Sequence, residues 1–310
     1  MKLAEIPIQS RLPGILLVLT SGCCWGFHGV LIKYAYTLGP SFLQVFLFEV
    51  LVSCLFFGFF AHRFFRGARP RGRRQWGTLS LIGISTVGVG NFLFLSFSYG
   101  PVAIASTLMF LYLPIVYFAS ILLRQINFST VKFCAILLIL AGAVMATEIL
   151  KTYDSPGALM SVGFAVLAAM CYGVVFVVTP IVSEFTTWEF RSFAVSGMGL
   201  VGCLILLAAA PNLWNDLGDQ WPKFLLFALF LGLVGQTLPV ITLMKGLPLT
   251  GSSFGGVLAS IELPIAIFSA AIVLGESLHF LKIIGVVCVV GGILIYNFSE
   301  DKPVVADAVV

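Results

Sequence analysis

The chain has 310 residues, 60% of them hydrophobic and only 10% charged, for a net charge of +4. Its mean hydropathy is +1.09. No soluble domain needs that much apolar surface, so the composition describes an all-α polytopic membrane protein and excludes a globular enzyme. Long helical runs rather than ten-residue alternation exclude an outer-membrane barrel. The seven cysteines all fall inside apolar segments and read as small packing residues, with neither metal-ligand spacing nor a disulfide framework.

Ten transmembrane helices are expected, at residues 13–36, 42–62, 76–98, 101–124, 130–149, 157–180, 188–210, 222–245, 250–274 and 278–298. Turn chemistry separates them at Gly39-Pro40, the arginine loop, Gly100-Pro101, Asp154 to Gly157, Asn212 to Pro222 and Gly246-Leu-Pro248. Short connections make neighbouring spans antiparallel hairpins. Between spans 2 and 3 lie Arg63, Arg66, Arg69, Arg71, Arg73 and Arg74. Six arginines in one short loop place it in the cytoplasm, and both termini with it. A loop pinned between two spans is no nucleic-acid site, so the expected partners are the lipid bilayer and a small-molecule substrate.

A shift of 150 residues lays Leu258, Leu263, Pro264, Ile265, Phe268, Lys282 and Gly292 on Leu108, Leu113, Pro114, Ile115, Phe118, Lys132 and Gly142. The prolines, lysines and glycines in one register mark a duplication. The chain divides at about residue 150, into 1–150 and 151–310, each with five spans. An odd number of spans starts the second half on the opposite side of the membrane. The fold is therefore two inverted five-helix repeats, an arrangement that in transporters puts the substrate site near midplane between the repeats.

The repeats set matched groups around the pseudo-axis. Cys24-Trp25-Gly26 falls on Cys171-Tyr172-Gly173, Gly90-Asn91 on Gly235-Gln236, and Tyr112 on Glu262. Trp25 is mid-helix, away from the interfacial belts, and His28 lies one turn on over the same face. They read as an aromatic wall with a polar neighbour, or as packing. Asn91 and Gln236 line the cavity or bridge helices. Ser252 and Ser253 are expected to bond back to their own helix. Glu49 and Lys33 are expected to pair across the first hairpin.

Glu262 is the strongest signal. A carboxylate at mid-bilayer costs about 2.5–3.5 kcal/mol on insertion scales. Pro264, two residues on, frees a carbonyl one turn earlier, and Pro114 does the same in the first half. These two prolines are expected to break or hinge their helices. Both features require that the helix face protein or water rather than lipid. Glu262 could hold the ammonium end of a zwitterion, carry a proton, or make a structural hydrogen bond.

Trp25-Gly26, Glu262-Leu-Pro264, Leu274-Gly275-Glu276 and Val290-Gly-Gly-Ile-Leu294 together resemble the EamA-type drug/metabolite transporter superfamily over nearly the whole chain. That resemblance implies a cavity lined by spans 1, 3, 4, 6, 8 and 9, with 5 and 10 peripheral. It implies a secondary transporter of metabolites in the inner membrane, nearest to the aromatic amino-acid exporters, with no cofactor. Expected substrate contacts are Trp25, His28, Asn91, Tyr112, Tyr172, Gln236 and Glu262. A sugar phosphate would want two cavity cations, and only Lys33, Arg191 and Lys245, near helix ends, offer them. The rival readings are an exporter of cationic, drug-like solutes and a membrane scaffold or sensor that transports nothing.

The topology has a direct check. In a cysteine-free background, a thiol reagent added outside should label Asp216→Cys and spare Arg69→Cys. The reverse pattern would overturn both the orientation and the inversion.

Overall fold

The computed structural model describes residues 8–64, 70–99, 102–147, 157–275 and 278–299. Arg66, Arg69, Asp154, Glu276 and the Gly100-Pro101 turn lie outside the described residues. The regular elements among the described residues are all helical: α1 (Ile8–Tyr36), α2 (Phe42–Phe64), α3 (Arg73–Tyr99), α4 (Val102–Met109), α5 (Tyr112–Leu122), α6 (Thr130–Thr147) and α7 (Ala158–Ser183). There follow α8 (Trp188–Ala209), α9 (Trp221–Leu231), α10 (Leu238–Thr250), α11 (Ser252–Ala259), α12 (Glu262–Leu274) and α13 (Phe280–Phe298). Among the described residues, nine helical stretches are long and apolar enough to cross a bilayer, and Thr107–Leu122 is a shorter apolar one.

The two prolines of the repeat explain why there are more helices than spans. Pro114 and Pro264 have no N–H, so the carbonyls of Phe110 and Ser260 lose their usual partners four residues on. Each is taken instead by the residue three on: Leu113 N–H donates to Phe110 at 3.0 Å and Leu263 N–H to Ser260 at 3.2 Å. The tightened turn splits span 4 into α4 and α5, and span 9 into α11 and α12, at matching positions.

The expected break at Gly246-Leu-Pro248 does not occur. Helix α10 runs through Pro248 to Thr250, and the chain turns at Gly251, whose φ of +80° suits a residue without a Cβ. Pro248 should strand the carbonyl of Met244. Arg191 of α8 takes that carbonyl through Nη2 at 2.7 Å. Its Nη1 donates to the Thr186 carbonyl at 2.8 Å. Arg191 is 3% exposed, and no carboxylate forms an ion pair with it among the described residues. A guanidinium buried at a helix end thus serves as the missing backbone donor.

The duplication is written into the packing. A Cβ on Gly142 of α6 would stand 2.6 Å from the Gly285 carbonyl oxygen of α13, and one on Gly292 would stand 2.9 Å from that of Ala135. The 150-residue shift converts one contact into the other. Likewise α1 packs on α12 where Gly26 meets Glu262 and Ile265, while α7 packs on α5 where Gly173 meets Tyr112 and Ile115. Small residues at these crossings let backbones approach closely, the usual currency of helix association in lipid. Polar staples join further pairs: Ser53 to Ser196 at 2.9 Å, Ser96 to the Ser161 carbonyl at 2.7 Å, and Ser21 to the Pro239 carbonyl at 2.9 Å. Ser253 departs from expectation, since its hydroxyl bonds Tyr296 of α13 at 2.5 Å rather than its own helix.

At the opposite end of the bundle from Arg191, Gln44 of α2 plays the matched part. It donates from Nε2 to the Asn215 carbonyl at 2.8 Å and accepts from the Asn215 N–H at 3.1 Å.

Removing the Arg191 guanidinium should cost about 1–3 kcal/mol, the usual penalty for an unsatisfied buried polar group. Arg191→Met should lower the thermal midpoint of the detergent-solubilised protein. Adding Pro248→Ala, which restores an N–H for the Met244 carbonyl, should recover part of the loss. No recovery would mean that the Met244 contact is incidental.

Candidate functional site

The discontinuous helices α4–α5 and α11–α12 meet α1, α3 and α7 around a cavity of about 530 Å³. This is within the usual range for small-molecule sites, about 300–1,000 Å³. Its walls are mostly apolar. The lining residues run up α1 from Trp25 to Tyr36 and take in Leu93 of α3, Thr147 of α6 and Lys282 of α13. The cavity therefore reaches the end of the bundle where α1, α3 and α6 finish. Val195 of α8 and Met244 of α10 form the floor. One turn below Val195 lies Arg191, bonded to the Met244 carbonyl, so this end is fastened shut.

Of the residues singled out in the sequence, Trp25, His28, Tyr112, Tyr172, Gln236 and Glu262 line this one cavity. Asn91 does not. Its neighbour Gly90 lines the wall instead, where a Cβ would press on the Phe46 ring. A step of one residue turns about 100° around a helix, which is enough to carry the Asn91 side chain off the cavity face.

Aromatic rings form a continuous surface. Trp25 and Tyr172, mates in the duplication, meet edge-on with centroids 6.3 Å apart. Tyr172 meets Tyr112 at 4.8 Å, and Phe176 closes the group at 5.0 Å from Tyr112 and 4.9 Å from Tyr172. The Tyr112 hydroxyl donates to the Gly256 carbonyl at 2.6 Å. That bond ties α5 to α11, one broken helix to the other, and leaves the ring face for packing.

Gln236 reaches the wall by a different device. Residues Gly232–Thr237 form a π-helical turn between α9 and α10. The Thr237 hydroxyl returns to the Gly232 carbonyl at 2.7 Å. Such turns insert an extra residue and re-aim side chains, often at functional sites. Pro239 just beyond was the available signal, because it cannot donate to the helix ladder.

Charge in the cavity is arranged unevenly. Glu262, in the first turn of α12, accepts no hydrogen bond among the described residues and faces the open space. Glu49 of α2, 2% exposed, is a lining residue that the sequence reading had treated as structural. Its carboxylate meets His28 Nε2 at 2.9 Å. Lys33 and Lys282 stand nearer the mouth; of the cations expected near helix ends, Lys33 lines the cavity, while Arg191 and Lys245 do not. Glu49, Lys33, Phe46 and Lys282 are among the lining residues outside the expected set. A carboxylate in the middle of span 2 was the legible sign of the first. Among the described residues no group of three His, Cys, Asp or Glu side chains stands close enough to hold a metal ion.

A polytopic bundle of inverted repeats around a lined midplane cavity is the build of a membrane transporter of small solutes. The model of the EamA-like transporter family matches residues 12–147 and again 159–298, and the chain belongs to that family. A solved structure described only as "Crystal structure of protein" has the same fold, with a TM-score of 0.75 over 93% of this chain and 99% of its own, at 18% identity. No curated protein matches the sequence.

Proposed function

We propose that this protein exports amino acids with aromatic or large apolar side chains across the cytoplasmic membrane, by alternating access around the midplane cavity. The observation that carries the reading is Glu262: a carboxylate without a protein partner among the described residues, set in an apolar cavity beside an aromatic wall. An intramembrane carboxylate that faces a cavity marks a substrate or ion path, where a positive charge meets it. The ammonium group of an amino acid does so. Trp25, Tyr112 and Tyr172 then receive its side chain, and Lys33 and Lys282 attract its carboxylate toward the mouth.

With both termini and the arginine loop in the cytoplasm, the fastened end at Arg191 is cytoplasmic and the cavity faces outward. The substrate would enter from the cytoplasm once the Arg191 contact opens, and leave past Lys33 and Lys282. The two lysines favour a zwitterion over a purely cationic, drug-like solute, which they would repel. Competition by L-phenylalanine against phenethylamine, which lacks the carboxylate, separates the two.

Two substitutions test the site. Glu262→Gln keeps the shape and should still fold and reach the membrane. Losing a buried charge pair costs about 2 kcal/mol or more, so L-phenylalanine affinity in proteoliposomes should fall by a factor of roughly thirty. Wild-type flux in this variant would remove the ammonium role. Trp25→Ala should weaken L-phenylalanine about two- to tenfold while sparing L-alanine, since aromatic contact is worth about 0.5–1.5 kcal/mol beyond area. Equal effects on both amino acids would make Trp25 a packing residue.

A further inference from the structure

The His28–Glu49 pair lines the same cavity as the residues proposed to hold the substrate. It sits where three helices from both repeats converge. His28 comes from α1, Glu49 from α2, and the third side is Gly235 in the π-helical turn. A Cβ on Gly235 would stand 2.5 Å from the His28 Cδ2 and 2.9 Å from its Nε2. The ring is thus clamped between a carboxylate and a bare backbone. Its side chain is 15% exposed, and that exposure is to the cavity. Nε2 is engaged by Glu49 at 2.9 Å, and Nδ1 has no protein partner among the described residues. Nδ1 is thus the ring nitrogen left to take up a proton from the cavity.

The charged and titratable surroundings are few. Glu49 faces the ring from α2 and Glu262 from α12, with Glu262 within electrostatic reach of His28. Tyr172 of α7 and Tyr112 of α5 lie across the cavity. Lys33 and Tyr36 lie further along α1, and Lys282 comes from α13. Cys203 of α8 lies behind Glu49. The lining side chains of α3, α10 and the π-helical turn are not titratable. Helix α11 has no titratable residue, and the only one in α9 is Lys223 in its first turn.

We propose that the His28–Glu49 pair is the proton site of this carrier, loaded from the cavity through His28 Nδ1 and emptied when an ammonium group settles on Glu262. With a neutral ring donating from Nε2, the pair carries one negative charge. A proton added at Nδ1 brings the pair to zero. Glu262 adds a second carboxylate, and with Lys33 and Lys282 standing nearer the mouth the two negative groups repel each other between apolar walls, where screening is weak. One positive charge relieves that repulsion, and either the substrate ammonium or the proton can supply it. The two therefore compete, and by linkage each weakens the other by the same factor. Competition for one cavity reached from alternate sides is exchange: a proton enters as an amino acid leaves. The exchange rests on the amino-acid reading; the proton site does not.

Nitrogen-15 NMR of the histidines, in the intact protein in lipid nanodiscs, tests the site directly. The chain has 3 histidines, and the signal lost in His28→Gln identifies the one concerned. The His28 ring should change protonation state within about pH 5–8, and Glu49→Gln should move the midpoint. A ring that stays in one state throughout, or a midpoint indifferent to Glu49→Gln, overturns the proposal. Saturating L-phenylalanine should also move the midpoint and release about one proton per molecule bound, read by a pH dye in weak buffer. Release should vanish in His28→Gln at L-phenylalanine concentrations raised until that variant is saturated. Binding to the wild type without proton release overturns the exchange. If L-phenylalanine does not bind the wild type, the amino-acid reading is what fails, and the titration of His28 with its response to Glu49→Gln still decides the proton site.

Discussion

Inside hydrocarbon a backbone carbonyl without a partner has no water to turn to, and each such group costs several kcal/mol. Most of what is distinctive in this protein is an answer to that constraint. Several of its prolines release carbonyls inside helices, and these releases are settled in three ways. At Pro114 and Pro264 the helix tightens and breaks. At Pro248 a guanidinium from another helix steps in. Before Pro239 the helix widens into a π-helical turn. Irregular backbone of this kind is tolerated only where protein or a cavity surrounds it. The breaks therefore gather around the central space, and the unbroken helices α6 and α13 pack chiefly against each other.

The fold was legible because duplication doubles every signal. Pro114 and Pro264, Gly142 and Gly292, and Trp25 and Tyr172 each appear at matched positions, and an odd number of spans per half forces the inversion. Local turn chemistry was less dependable. Gly246-Leu-Pro248 has the composition of a break, but it is helical because a side chain 57 positions earlier in the chain supplies the absent donor. No local rule contains that contact. Asn91 shows the same limit on a smaller scale: matched register gives depth in the membrane, and the facing direction depends on how the helix is rotated by its neighbours.

The cavity is where reading by type and reading by position diverge most. Glu49 could be paired on paper with Lys33, since both belong to the first hairpin. In space its carboxylate meets His28, and Gly235 in the other half closes the third side. Glu262 needed no such help, because a carboxylate beside a proline in an apolar run has few bland explanations. Polar residues inside membranes are thus easy to single out and hard to pair, since their partners sit on helices distant in sequence.

The two ends of the bundle are related by pseudo-symmetry but tied with different material. Gln44 and Arg191 occupy equivalent places; one is a neutral amide bonded to a loop, the other a guanidinium bonded to a helix carbonyl. A carrier built from two identical halves would have degenerate inward- and outward-facing states, and an empty molecule would divide itself equally between them. In the proposed alternating-access cycle, the unequal ties at Gln44 and Arg191 help to lift that degeneracy. The imbalance cannot alter the direction of net transport, which the gradients set. In that proposed cycle it biases the side on which the empty carrier waits, and with it the leg that limits turnover.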